Sequence, residues 1–331
     1  MIIRLAQPTD AAEARRRAVA LAERAGFDAE AAGRVSLVAT ELSTNILKHA
    51  GSGEIAIETH DAGTHQEVEL LAIDGGRGME NLARCLEDGY STAGSQGTGL
   101  GAVHRLADTV SVFTRPGLGT VILARLAAVR AAPVRRIFEV GAVAAPCPGE
   151  TVSGDGWSVR RRDAQCRVLL ADGSGHGEHA ARAAQAAIEL FAELDAHAPA
   201  AAIAQLHRAL AATRGAAVAL AAIDLPSRTV RYAGLGNISG TLIDGASRRG
   251  MVSTNGTAGH VWRNVKDYDY PFAGADPILV LHSDGLTTRW HLDTYPGLAR
   301  CDASVIAGVL YRDHSRGRDD VTVVVVKAAT A

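Results

Sequence analysis

Apolar residues recur at spacings of three and four through residues 29–50, as at Val35, Val38, Leu42 and Ile46, and this predicts a helix; a second is predicted over 10–26. The period then changes. EIAIETH (54–60) and EVELLAID (67–74) alternate, which predicts two strands joined by a turn at Asp61–Ala62–Gly63. A loop rich in Gly, Ser and Thr (88–101) leads to a short helix near 100–107, and strands follow at 109–114 and 119–126 around Pro116–Gly117. This mix fits a small α/β sandwich. Pro133, in RLAAVRAAPVRR (125–136), separates it from a different pattern, so the expected domains are 1–130 and 135–331. The second carries the strands IFEVGAV, WSVRR, CRVLLAD, AVALAAID, TVRYAGLG, GTLID, PILVLHSD and VTVVVV, with helices expected at 178–195, 199–213 and 302–312. Strands outnumber helices there, which suggests two stacked antiparallel sheets with helices outside.

Four aspartates stand at the ends of these apolar runs. Asp155 opens GDGW, Asp172 follows RVLLA, Asp284 follows PILVLH, and Asp319 precedes VTVVVV in RDDVT. A carboxylate at a strand terminus sits on a rigid stem facing solvent, and several converging on one spot repel unless cations lie between them. Hard oxygen donors of this kind suit Mg²⁺ or Mn²⁺. His176, in the same Gly-rich loop as Asp172, has the chemistry to protonate a leaving oxygen near neutral pH, and equally suits a loop position facing water. His282 reads as a strand residue filling the core.

The first domain holds a different set. Glu41, Asn45 and Lys48 share one stripe of the second helix, beside the apolar one. That stripe suits either a covered ligand pocket or a solvated face with a Glu–Lys pair. Asp74 ends a strand and is followed by Gly76 and Gly78, where glycine lets backbone pass close to a planar base. GTGLG (Gly97, Thr98, Gly99, Leu100, Gly101) opens a helix, and such a helix start presents free N–H groups to phosphate oxygens.

Composition narrows the classes. The 331 residues are 47% hydrophobic and 21% charged with net charge −2, as in a soluble globular chain that does not bind nucleic acid. Four cysteines without CxxC spacing read as reduced thiols. No run approaches the roughly 18 apolar residues of a membrane span, and no signal peptide is evident at the start. A cytoplasmic protein is expected.

ELSTNILKHA, DGGRGM and EDGYSTAGSQGTGLGAVHRLAD resemble the GHKL (Bergerat) ATP-binding fold in its anti-sigma-factor serine kinase branch, most of all the stressosome switch kinases (RsbT-like), over residues 1 to 128. The resemblance implies that Asn45 binds Mg²⁺ with the ATP phosphates, that Glu41 activates the acceptor hydroxyl, that Asp74 reads the adenine amine, and that Gly97, Gly99 and Gly101 form the ATP lid. SGDGW, ADGSGHG, HSDGL and RDDVT occur in the order found in PPM-type metal-dependent Ser/Thr phosphatases of the SpoIIE-like branch. That likeness implies an α/β/β/α sandwich in which Asp155, Asp172, Asp284, Asp319 and the Gly173 carbonyl hold two Mn²⁺ or Mg²⁺ ions; the adjacent Asp320 shares or exchanges the role of Asp319, which is favoured by its first place in the DDxT pattern. Many relatives carry AGHPP where this chain has AGLGNIS (233–239), a variant shared with RsbX-like feedback phosphatases.

Together the resemblances imply a partner-switching regulator in which a kinase and a phosphatase oppose each other on a STAS-domain protein, with a sigma factor or a stressosome as further partners. The alternative is a phosphatase gated by an ATP-binding module that transfers no phosphate.

Overall fold

In a computed structural model the described residues are 1–61, 66–82, 99–129, 137–194 and 198–328. They form two compact units: Met1–Arg135 with His291–Arg312, and Arg136–Trp290 with Asp313–Ala331.

The first unit is built on a five-stranded antiparallel sheet in the order β1 (Ile2–Leu5), β2 (Gly53–Asp61), β3 (Gln66–Asp74), β5 (Thr120–Ala127), β4 (Thr109–Thr114). Three helices belong to its inner face: α1 (Pro8–Arg24), α2 (Ala29–His49) and α3 (Gly99–Leu106). Proline opens α1, where its missing N–H costs nothing. The Asp28 carboxylate caps α2 by accepting from the Ala31 N–H at 2.8 Å. Val35, Val38, Leu42 and Ile46 are buried against Val68, Leu70, Ile122 and Ala124 of the sheet.

The opposite face of this sheet is buried too. The segment 291–312 is part of this compact unit and packs on that face. Every residue of β5 is buried. Its helix α6 (Ala303–His314) brings Gly308 so near Val121, Leu71 and Ile73 that an added Cβ would lie 3.0–3.6 Å from them. Tyr295 meets Phe113 edge-on at 6.1 Å.

The second unit stacks two five-stranded antiparallel sheets. One runs β13 (Tyr268–Pro271), β10 (Thr229–Leu235), β9 (Ala216–Asp224), β8 (Gln165–Gly173), β7 (Asp155–Arg162); the other runs β12 (Ser247–Met251), β11 (Ser239–Asp244), β14 (Ile278–His282), β15 (Val321–Ala328), β6 (Phe138–Ala145). Their facing residues, among them Val168, Leu170, Tyr232, Leu279, Leu281 and Val324, form one core. Helices α4 (Glu178–Glu193) and α5 (Pro199–Ala209) pack on the outer face of the first sheet. Small residues set how closely α4 lies: a Cβ on Gly156 of β7 would be 3.2 Å from the Ala184 Cβ. The sequence pattern does not predict the short strands β1, β12 and β13; SRRGM in β12 is polar and carries no apolar alternation.

Candidate functional site

Strand register gathers the aspartates of the second unit. Asp155 and Asp172 lie directly opposite each other on β7 and β8. Asp284 follows β14, and Asp319 and Asp320 precede β15, which pairs with β14. Ser283 joins the two sheets here: its hydroxyl donates to Asp155 Oδ2 at 2.6 Å and accepts from the Thr322 N–H at 2.9 Å. No motif role marks Ser283 in the sequence; its one signal there is its place between His282 and a strand-end Asp in HSDGL. Burial, then the charges of Asp155, Asp284, Asp319 and Asp320, push the Asp172 carboxyl well above its usual range. Burial is also the main cause of a raised Asp155, opposed by its hydrogen bond from Ser283.

Asp319 and Asp320 differ in setting. Asp319 is half-buried and its Oδ1 accepts from the Asp320 N–H at 2.9 Å. Asp320 is buried, accepts from the Cys147 N–H at 2.8 Å through Oδ1, and leaves Oδ2 without a partner. Asp155 Oδ1 is likewise buried and unpartnered. Buried carboxylate oxygens without donors, beside like charges, fit hard divalent cations. Among the described residues no three His, Cys, Asp or Glu side chains close tightly enough to enclose an ion alone. The fit rests on the chemistry of the donors, which are hard carboxylate oxygens of the kind that Mg²⁺ and Mn²⁺ take.

Gly173 accepts no side chain, since a Cβ would fall 2.1 Å from the Ala180 carbonyl oxygen. His176 is exposed, and its Nδ1 lies 2.6 Å from Glu150 Oε1. His282 is buried in a neutral state: burial lowers its pKa to about 4, Nδ1 pairs with the Ser283 carbonyl at 2.8 Å, and the Trp290 indole N–H points to Nε2 at 3.4 Å. A groove of about 530 Å³ runs from Asp155 along Val152, Arg182 and Gln185.

In the first unit, Glu41 and Asn45 are half-buried on α2 and meet the start of α3, where a Cβ on Gly99 would lie 3.3 Å from Asn45 Oδ1 and 3.4 Å from Glu41 Oε2. Lys48 is exposed. Leu100 and Gly101 lie in the first turn of α3, with Leu100 buried in the core. Gly97 and Thr98 fall outside the described residues. Asp74 ends β3; burial raises its pKa against hydrogen bonds from the Gly76 and Thr120 backbone. Gly78 has φ +70°, and a Cβ there would sit 1.9 Å from the Arg115 carbonyl oxygen. Arg312, which no motif predicted, donates to the Asp74 carbonyl at 3.2 Å.

Residues 5–126 match the histidine kinase-like ATPase domain family and residues 162–329 match stage II sporulation protein E (SpoIIE). The serine/threonine-protein kinase RsbT of Bacillus subtilis is 34% identical over 122 residues, which are 37% of this chain and 92% of RsbT. A solved chain of the bacterial stressosome, described as a modular system adapted to control secondary messenger signaling, is 27% identical over 58% of this chain and all of its own length, with TM-score 0.54. RsbX in complex with magnesium is 19% identical, covers 57% of this chain and 94% of RsbX, and has TM-score 0.50, a likeness of fold.

Proposed function

Since the chain belongs to the SpoIIE family and carries a histidine kinase-like ATPase domain ahead of it, we propose that it is a bifunctional partner-switching regulator. Its second unit removes phosphate from serine or threonine of a STAS-domain protein, and its first unit transfers phosphate from ATP to the same partner. The observation that carries the phosphatase reading is the register pairing of Asp155 with Asp172, with Asp284 and Asp319 brought to the same place by β14 and β15.

In this reading Asp155, Asp172, Asp284, Asp319 and the Gly173 carbonyl hold two divalent ions. Such ions supply an acidified water and neutralise the phosphate charge. Ser283 fixes the Asp155 carboxylate through one oxygen and leaves the other free. Asp320 ties the Cys147 backbone to the strand end and so holds the loop beside the site. His176, oriented by Glu150, donates a proton to the leaving seryl oxygen. In the first unit Asn45 holds Mg²⁺ with the ATP phosphates, and Glu41 orients the acceptor hydroxyl. Asp74 accepts from the adenine amine, with Gly76 and Gly78 leaving room for the base. Support for the kinase half comes from Glu41 and Asn45 meeting at Gly99 and from the relation to RsbT.

The test uses the full-length chain with a STAS-domain protein, either phosphorylated and given Mn²⁺ or unphosphorylated and given labelled ATP. Asp172→Asn should abolish phosphate release, and Glu41→Gln should abolish transfer. Release that persists without divalent metal sinks the phosphatase reading. Transfer that is absent in the wild type despite bound ATP leaves the first unit a non-catalytic gate.

A further inference from the structure

We propose that Asn237 is a positioning residue for the phosphatase centre, holding the Asp284 carboxylate so that one oxygen is tied to the protein and the other is left for a cation. This rests on the reading of Asp284 as a metal ligand given above. Asn237 Nδ2 donates to Asp284 Oδ2 at 2.7 Å. The pair is not an accident of two surface rotamers, because the backbone places both partners. The β11–β14 ladder pairs Ser239 with His282 and Gly240 with Leu281. Continued two residues past its end, the same register sets Asn237 opposite Asp284.

The chain on either side of Asn237 is fixed independently of its side chain. Ile238 is buried in the core between the sheets. Gly236 has φ +113°, and a Cβ there would lie 2.4 Å from the Cβ of Ala217, the residue paired with Asp172 across β8 and β9. The Gly236 N–H donates to Thr254 at 2.8 Å, and the Thr254 N–H returns to Gly234 at 2.8 Å. Only glycine fits so near β9, the strand paired with the one that carries Asp172, and the next residue is delivered to Asp284.

An amide suits this place chemically. A lysine or arginine would neutralise Asp284 and compete with the cation, and a carboxylate would repel it. An amide N–H orients the carboxylate and leaves its full charge available. Groups that hold a metal ligand in this way typically contribute a factor of about 10–100 in metal affinity. The AGLGNIS segment, which departs from AGHPP, thus has a role of its own at the site.

The test is Mn²⁺ titration calorimetry on the full chain as wild type, Asn237→Leu (similar size, no donor) and Asn237→Gln (donor kept). Asn237→Leu should weaken Mn²⁺ binding about 10–100-fold and raise the Mn²⁺ needed for half-maximal hydrolysis of p-nitrophenyl phosphate by the same factor. The rate at saturating Mn²⁺ should stay within a few-fold and the metal-free melting temperature should be unchanged. Asn237→Gln should recover most of the loss. Wild-type affinity in Asn237→Leu, or equal loss in both variants, overturns the inference. A wild type that takes up no Mn²⁺ overturns the metal-site reading itself, a separate result.

Discussion

Arg125 is the residue whose replacement most sharply tests how the first unit is built. It stands in mid-β5, opposite Glu69 on β3, inside the apolar run VILARLA. Its Nε donates to Glu69 Oε2 at 2.7 Å, and its two terminal nitrogens donate to Asp302 at 2.6 and 2.8 Å, with Ser304 Oγ at 3.1 Å. Asp302 also accepts from the Ser304 N–H at 2.9 Å, in the first turn of α6. His60 adds its charge 3.4 Å from Glu69, not aligned as a hydrogen bond. Burial alone would raise the Glu69 carboxyl, yet Arg125 and His60 hold it at about 2 instead of 4.5. A carboxyl so lowered contributes about 3 kcal/mol of stability above pH 5, lost as pH falls through 4.5 toward 2.

Arg125→Met removes the guanidinium that bonds both carboxylates. Two buried charges then lack their main partner, and the expected cost is about 3–5 kcal/mol. Replacing all three groups (Arg125→Met, Glu69→Leu, Asp302→Leu) should recover most of it, because an apolar cluster needs no desolvated charge. Urea denaturation of the full chain at pH 7 reads the difference. A loss under about 1 kcal/mol in Arg125→Met, or a triple variant no better than the single one, refutes the reasoning. The same geometry predicts that a fragment cut at 130 will be less stable than the first unit in the full chain. It lacks Asp302 and exposes Leu71, Ile73, Val121 and Leu123, each contributing on the order of 2 kcal/mol when buried. A 1–130 fragment as stable to urea as the first unit of the full chain would count against the role assigned to 291–312.

Other expectations follow from single contacts. Ser283→Ala removes a donor to Asp155 and an acceptor for the Thr322 N–H, and should destabilise the second unit by about 1–3 kcal/mol in calorimetric melting. Gly78→Ala places a Cβ against the Arg115 carbonyl at a positive φ, so it should cost about 1–3 kcal/mol or more and weaken ATP binding in a fluorescent-nucleotide titration. His60 is raised in the fold, since Glu69 outweighs the burial that would lower it. The stability it contributes is full below pH 6.5 and is lost as pH rises through the raised value; His60→Gln should flatten that slope in melting curves from pH 6 to 9.

The motif residues were legible because strand ends are legible: an apolar run followed by DG marks where a carboxylate leaves the sheet, as at Asp172 and Asp284, while Asp155 opens β7. Less legible were the residues that hold them. Ser283 and Asn237 act across the ladders β14–β15 and β11–β14, whose register is a property of long-range pairing. The role of 291–312 was also hidden, because helical periodicity predicts α6 without saying which sheet it covers. A signal was nonetheless present. LLAI in β3 and VILA in β5 are continuous apolar runs, the mark of strands covered on both faces. An arginine alone in such a run demands buried carboxylates from elsewhere.

Connectivity gives that arginine a wider reach. The chain leaves the second unit at Trp290, shortly after Asp284, and returns at Asp313, shortly before Asp319. The segment between them is held on the first unit by Arg125, and its last residue, Arg312, bonds the carbonyl of Asp74. Loosening it therefore frees the tether between two of the proposed metal ligands and releases a contact to the strand end proposed to read adenine. Arg125→Met should accordingly weaken both Mn²⁺ and ATP binding at temperatures where the protein is still folded, whereas Asn237→Leu should weaken Mn²⁺ binding alone. Calorimetric titration of both ligands into both variants distinguishes the two. Unchanged affinities in a folded Arg125→Met protein would mean that the tether serves stability and nothing else.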